Sequence, residues 1–265
     1  MPAVDKRNHD VEGHYDADSI TRVENEMKAR RGTTRLVGEK QYRAAIRRIR
    51  ERGHERLGLM MSWAYLDDPK RLAFTLARYK FVAKMLSGSD HVLEAGCGDA
   101  WPSRIVLQEV RKLTAVDFDH AFVEDANSRM SEPWRFVCKQ HDMLAAPVKG
   151  TFDGAYCLDV LEHISPKQEH LFISNLIEPL VEHGTLIIGS PSLQSQSYAS
   201  ALSKEGHVNC KDQPDLKRLM RKYFHNVFVF SMNDEVVHTG YHAMSHYNLA
   251  LCCGKKRNSR SKMGE

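Results

Sequence analysis

The chain has 265 residues, 42% of them hydrophobic and 27% charged, with a formal net charge of +4. This is the balance of a globular protein with one substantial core and room for an extension or cap. No apolar run reaches the length of a membrane span, Met1–Asp10 is too polar for a signal peptide, and the six cysteines contain no CxxC pair. The expectation is a cytoplasmic protein with no membrane span. Its thiols at Cys97, Cys138, Cys157 and Cys252 should be buried and reduced rather than engaged in disulfides or zinc.

The positive charge gathers at the ends. Arg43, Arg47, Arg48, Arg50, Arg52 and Arg56 lie near the front, and Lys255, Lys256, Arg257, Arg260 and Lys262 in the tail. Such ends can attract nucleic acid or an acidic lipid surface. No aromatic-studded basic strand supports base stacking, so a solvated helix face and a frayed terminus are the simpler reading.

In chain order, residues 1–68 read as a helical extension or cap. Ser19 fits the cap of a helix carrying Ile20, Val23 and Met27. Tyr42, Ala45, Ile46 and Ile49 recur at helical spacing with arginines opposite, and Gly53 and Gly58 interrupt the pattern. Residues 69–254 form the main domain. Pro69 opens an amphipathic helix with Leu72, Leu76, Tyr79, Val82, Ala83 and Leu86 on its apolar stripe, and Ser87-Gly88-Ser89 stops it. Strands are predicted at His91–Glu94, Leu113–Val116, Arg135–Cys138, Phe152–Cys157, Thr185–Gly189, Val227–Ser231 and Tyr241–Cys252. Helices are predicted at Pro102–Val110, His120–Met130, Pro166–Leu180 and Asp215–Tyr223. Residues 255–265 read as a basic disordered tail. Strands separated by helices imply parallel pairing with right-handed crossovers. The last two strands are joined by a short loop and should be antiparallel. The fold class is therefore α/β, a mostly parallel seven-stranded sheet with helices on both faces and an antiparallel last strand.

The segment Glu94-Ala95-Gly96-Cys97-Gly98-Asp99-Ala100 places an acid and two glycines at the end of a buried strand, where backbone can approach a ligand closely. A dinucleotide fingerprint needs a third glycine where Trp101 stands, and no Gly-Lys-Ser/Thr follows for a phosphate loop. An acid at the next strand exit, Asp117, lies where it can accept from both hydroxyls of a ribose. The later strands exit into Gln140-His141-Asp142-Met143 and into Asp159-Val160-Leu161-Glu162-His163-Ile164.

The acid-x-Gly-x-Gly turn, the acid at Asp117 and the Asp-Val-Leu-Glu-His-Ile run together resemble the class I S-adenosylmethionine-dependent methyltransferases. Within them the chain is similar to the small-molecule subgroup that includes ubiquinone-biosynthesis O-methyltransferases. The resemblance covers roughly residues 69–253 and implies a Rossmann-like fold with S-adenosylmethionine as cofactor. It implies cofactor contacts at Glu94, Gly96, Cys97, Gly98, Asp117, Phe118, Asp142, Met143 and Leu158. Ala100 departs from the glycine common there. Asp119 suits a helix cap.

Methyl transfer from a sulfonium releases a neutral leaving group, so the protein needs alignment rather than an acid. A hydroxyl acceptor also needs a base or a metal. His163 is the first candidate as base or substrate ligand, with His207 and His238 behind it on the Ser192–Pro214 and Asn233–Gly240 loops. In ubiquinone-type and small-RNA 2′-O-methyltransferases a similar acid-x-x-Glu-His cluster can hold a divalent ion. Here that trio is Asp159, Glu162 and His163, but the run also occurs in members without metal, and the expectation is no metal. The expected activity is methylation of an oxygen or nitrogen of a small polar metabolite, such as a sugar or natural-product intermediate. The alternatives are an RNA methyltransferase that uses the basic ends and a non-catalytic S-adenosylmethionine-binding pseudoenzyme.

Overall fold

The structure, a computed structural model, describes residues 39–132 and 134–256. The Ser19 helix and the tail from Arg257 onward lie outside the described residues. The chain divides into two compact units, Met1–Glu55 and Arg56–Glu265. In the first, a 3-10 turn at Lys40–Tyr42 leads into helix α1, Arg43–Arg52, which ends on Gly53 at φ +85°. No residue of α1 is fully buried.

The second unit begins with helices α2 (Leu59–Asp67) and α3 (Lys70–Met85). Strands and helices then alternate: β1 (His91–Ala95), α4 (Ser103–Leu107), β2 (Lys112–Asp117), α5 (His120–Ser128), β3 (Val137–Gln140) and β4 (Phe152–Leu158). There follow α6 (Glu169–Ile177), β5 (Leu180–Pro191), α7 (Ala201–Gly206), α8 (Gln213–Met220), β6 (Phe224–Asn233), β7 (Val236–His238) and β8 (Tyr247–Lys255). The sheet order is β3-β2-β1-β4-β5-β8-β6-β7. The strands from β3 to β5 pair in parallel, and β8 runs antiparallel between β5 and β6.

The sheet has eight strands rather than seven. Asn233–Gly240 folds back as a hairpin in which β7 pairs antiparallel with β6. Asp234 takes φ +48° in its two-residue turn, a conformation that aspartate tolerates better than most residues. Conversely, Tyr241–His246 is not strand: it contains a 3-10 turn at His242–Met244, and β8 starts only at Tyr247.

The pleat sorts residues by face. Leu93, Ala155, Leu186 and Ile188 pack on Phe172, Ile173 and Leu176 of α6 and on Leu216 and Met220 of α8. Their neighbours Val92, Tyr156 and Ile187 pack on Tyr79, Val82 and Ala83 of α3 and on Leu86 just after it. Burial on both faces explains why these strands read as continuous apolar runs. All six cysteines are free, and Cys97, Cys138, Cys157 and Cys252 are buried. No helix among the described residues is long and apolar enough to cross a membrane.

Leu93 is fully buried at the centre of the sheet. Leu93→Ala should cost about 2–5 kcal/mol of unfolding free energy, because the strands on either side cannot collapse into the cavity. Chemical denaturation measures it; a loss well under 1 kcal/mol would place the core elsewhere.

Candidate active site

β1 and β2 end side by side, with Ala95 opposite Val116. Beyond them the chain turns tightly. The N–H groups of Gly96 and Cys97 both donate to Val116 O, at 2.8 and 3.0 Å. Gly96 has φ +74°, and a Cβ there would overlap Val160 Cγ2 at 2.1 Å, so glycine is required both by conformation and by space. Gly98 has φ +51° and Ala100 φ +50°. Alanine at that last position carries a left-handed strain of about 1–2 kcal/mol that glycine would not.

Asp117 locks the turn from the next strand. Its Oδ2 accepts from Gly98 N at 2.8 Å and its Oδ1 from Asp119 N at 3.0 Å. Burial raises its pKa, and these two N–H groups pull it back. Asp119 caps α5 by accepting from Ala121 N at 2.9 Å.

Asp99 works in the opposite direction. Helix α2 begins at Gly58, which has no side chain to cap it. Asp99 supplies the cap from a distance: its Oδ2 accepts from Met61 N at 2.9 Å while its Oδ1 accepts from Trp101 N at 3.0 Å. Asp125 accepts from Leu59 N at 3.3 Å. A Cβ on Gly58 would strike Asp99 Cγ at 2.1 Å. The turn after β1 and the first turn of α2 are thus one hydrogen-bonded unit.

These pieces enclose a cavity of about 780 Å³, the size of a small-molecule site. Gly96, Cys97, Gly98, Asp117 and Phe118 line one wall, and Asp142, Met143 and Leu158 another. Met60, Met61, Thr75 and Tyr79 close it from α2 and α3. Phe118 is 72% exposed, and Asp142 accepts from Leu144 N at 2.8 Å. Of the nine positions expected to meet the cofactor, eight line the cavity and Glu94 does not. Glu94 lies behind Tyr79, whose hydroxyl donates to Glu94 Oε1 at 2.6 Å, while Glu94 Oε2 has no partner. Burial pushes the Glu94 carboxyl up to about 7, against the hydrogen bond from the Tyr79 hydroxyl.

At the far end, the backbone after β4 turns at Asp159, with φ +56°. Arg78 of α3 grips the Asp159 carboxylate with Nη1 at 2.9 and 2.8 Å and lies 3.8 Å from the centre of the Tyr247 ring. Next comes a 3-10 turn, Leu161–His163. Its Glu162 is 1% exposed, with Oε2 unpartnered, and burial drives its pKa well above the ordinary value. The Glu162 carbonyl accepts from Val208 N and Asn209 N, which draws His207 alongside. The His163 and His207 rings stand 5.1 Å apart. His163 Nδ1 lies 2.9 Å from Gly206 O, and His207 Nδ1 2.9 Å from Gln196 Oε1. Burial, and then His163, lower the His207 pKa.

Glu162, His163 and His207 each offer a ligand atom within 4.8 Å of the others. A buried carboxylate oxygen with no partner beside two imidazoles fits a divalent ion. The sequence predicts no metal and names Asp159, Glu162 and His163 for the case that one is held; in the structure Asp159 is paired with Arg78, and His207 is the residue grouped with Glu162 and His163. His163 lines the cavity, and His207 does not. His238 is not at the cavity. It sits on the outermost strand, with Nε2 2.8 Å from Asn233 Oδ1 and Nδ1 accepting from Gly240 N at 2.9 Å.

Arg78, Tyr79 and Asp99 escape the sequence reading as site residues. Arg78 had a signal, an arginine directly beside Tyr79 of the apolar stripe of α3. Asp99 had none, since its partner lies 38 residues away.

A raised acid destabilises the fold once it ionises. The unfolded chain releases the Glu94 proton near 4.5 and the folded chain only near 7, so stability falls as pH climbs through that window. Glu94→Gln should unfold at a higher temperature than the parent at pH 8, with the gap closing toward pH 4. Equal midpoints at both pH values would refute the burial of this charge.

A family model described as a methyltransferase domain matches residues 92–184. No curated protein matches the chain. Among solved structures, the fold is shared with the N-methyltransferase NodS from Bradyrhizobium japonicum, in complex with S-adenosyl-L-homocysteine. That match has 17% identity and a TM-score of 0.55, and covers 82% of this chain and 99% of that one. A possible histamine N-methyltransferase from Thermotoga maritima has 17% identity, a TM-score of 0.57, and coverage of 73% and 94%. The methyltransferase domain of bacterial CtHen1-CN has 17% identity, a TM-score of 0.55, and coverage of 68% and 99%. The glycine turn and the carboxylate at the second strand's exit both fall within the residues that match the methyltransferase domain, and the chain shares the fold of S-adenosylmethionine-dependent methyltransferases.

Proposed function

We propose that the protein methylates an oxygen or nitrogen atom of a small polar metabolite, such as a sugar or natural-product intermediate, in the cytoplasm. One observation carries the reading: a single cavity is lined both by Asp117 after β2 and by Asp159 and His163 after β4, the strands that flank β1. That arrangement seats a donor and an acceptor against each other. Six free cysteines suit a reducing compartment.

When bound, S-adenosylmethionine supplies an electrophilic methyl group on sulfur. The chain's own groups then divide the work. Asp117 has each oxygen tied to one N–H and keeps lone pairs for the two ribose hydroxyls. Asp142 accepts from the adenine amine, with Met143 and Phe118 on the ring. Gly96, Cys97, Gly98 and the Leu158 backbone border the methionine part. Glu94 acts through Tyr79, holding the wall beneath that part rather than touching it.

The acceptor's proton is handled at the Glu162–His163–His207 cluster, whose one member at the cavity wall is His163. Because His163 Nδ1 faces the Gly206 carbonyl, that nitrogen carries the hydrogen, and Nε2 has the lone pair. The Asp159-x-x-Glu162-His163 run favours an oxygen acceptor, by its likeness to ubiquinone-type O-methyltransferases. The names of the two N-methyltransferase neighbours keep nitrogen on the acceptor panel.

Two measurements test this. Asp117→Asn, which keeps an acceptor for only one of the two backbone N–H groups, should stay folded with a lowered unfolding midpoint and weaken S-adenosylhomocysteine binding tenfold or more by calorimetry; unchanged affinity sinks the ribose assignment. On the best acceptor from a panel of hydroxylated and amine metabolites, His163→Ala should lower kcat by about 10²-fold or more. Its affinity for S-adenosylhomocysteine should stay within twofold, and undiminished turnover would move the proton-handling group elsewhere.

A further inference from the structure

We infer that the Arg78–Asp159 pair selects acceptors by charge. It leaves the cavity wall after β4 electrically neutral, so the site takes an acceptor that is uncharged where it enters and refuses one carrying a carboxylate or phosphate. The inference rests on the proposed function and names the substrate class of that same site.

An anion entering a cavity needs a cation or several N–H donors to replace the water it loses. Among the described residues, no lysine or arginine lines this one. Its acids are Asp99, Asp117, Asp142 and Asp159. Three of them already accept from backbone N–H groups: Asp99 from Met61 and Trp101, Asp117 from Gly98 and Asp119, and Asp142 from Leu144. Those donors are therefore spent and do not serve an anionic acceptor. Met60, Met61, Ile164 and Phe172 add apolar surface. A carboxylate or phosphate carried on the acceptor lies away from the reacting methyl, so only the protein can compensate it.

Arg78 is the cation that could do so, and Asp159 masks it. Arg78 does not line the cavity, whereas Asp159 does. Arg78 Nη1 meets both Asp159 oxygens, at 2.9 and 2.8 Å, and the guanidinium lies 3.8 Å from the centre of the Tyr247 ring. Asp159 is held at φ +56°, and its own N–H donates to Gly189 O at 3.0 Å. Swinging the carboxylate away would leave a buried arginine without its counter-charge, a costly outcome. The pair therefore offers the acceptor two carboxylate oxygens and no net charge. Each oxygen keeps lone-pair capacity for a hydroxyl or amine hydrogen. Glu162 adds no charge beside it, because burial and the neighbouring Asp159 raise its pKa and favour the protonated acid. Neutralising Asp159 alone uncovers a fixed positive charge, and neutralising both partners makes the wall neutral again.

The experiment uses the full-length protein with S-adenosylmethionine and acceptor pairs that differ by one carboxylate or phosphate. The pairs are the best acceptor of the panel and its acidic counterparts, starting with glucose against its phosphate ester, hydroxybenzyl alcohol against hydroxybenzoate, and tyramine against tyrosine. In the parent, kcat/KM should favour the member without the acidic group by about 50-fold or more. In Asp159→Asn that preference should shrink at least tenfold, through a lower KM for the acidic member, and about 0.5 M NaCl should reverse much of the change. Arg78→Met combined with Asp159→Asn should return the preference to within threefold of the parent. A parent that methylates both members equally overturns the inference. So does a folded Asp159→Asn with the parental preference, or a folded double variant that keeps the altered one. Should the variants not fold, the parental pairs decide. If acidic members are methylated as well as the others while His163→Ala still loses turnover, the function stands and this inference alone falls. If S-adenosylhomocysteine binds and no acceptor is methylated, the proposed function falls and this inference with it.

Discussion

The Asp117 carboxylate, with one oxygen on Gly98 N and the other on Asp119 N, is the interaction on which the site depends. It joins the exits of two neighbouring strands. A charged acceptor on two backbone donors is stronger than a neutral bond, and it fixes the turn before any ligand arrives. Gly96 and Cys97 add two more bonds to Val116 O. From that fixed turn Asp99 reaches across to the first turn of α2, and Arg129 donates to the Asp99 carbonyl. The helix that closes the cavity is therefore held by the same few residues that form its floor.

The site also stores unfavourable electrostatics. Glu94 and Glu162 are both buried acids, and each has one carboxylate oxygen without a partner. Native proteins rarely leave such groups unsatisfied, and they concentrate them where a ligand supplies the missing contact. One lies behind Tyr79 near the glycine turn and the other in the turn after β4. Asp159, at φ +56°, is paired with Arg78 and lines the cavity.

The order of strands and helices was legible because burial on both faces produces continuous apolar runs, and α3 because its stripe repeats at helical spacing. The reversed strand followed from a short connection. β7 was not legible: three residues carry no periodicity, and they are strand only by pairing with β6. Tyr241–His246 misled in the opposite way, being apolar enough for strand but turned by the 3-10 segment at His242–Met244. At the site, the strand-exit residues could be chosen because chain order fixes which strand ends meet. The histidines could not, since a loop's sequence does not say where its tip goes. His207 is carried in by bonds to Glu162, whereas His238 is carried away on an edge strand.

By itself, the sequence determined the α/β alternation, the glycine turn, the acids at the strand exits and the Asp-Val-Leu-Glu-His-Ile run. Local spacing and backbone chemistry suffice for these. Only the tertiary structure decided that Glu94 stands behind Tyr79, that Asp99 caps a helix formed earlier in the chain, and that Arg78 takes Asp159 across 81 residues. Such pairings depend on how α2 and α3 dock against the ends of the sheet, and no local pattern encodes that docking. It is set by the sum of core contacts, and it alone brings these charges within reach of one another.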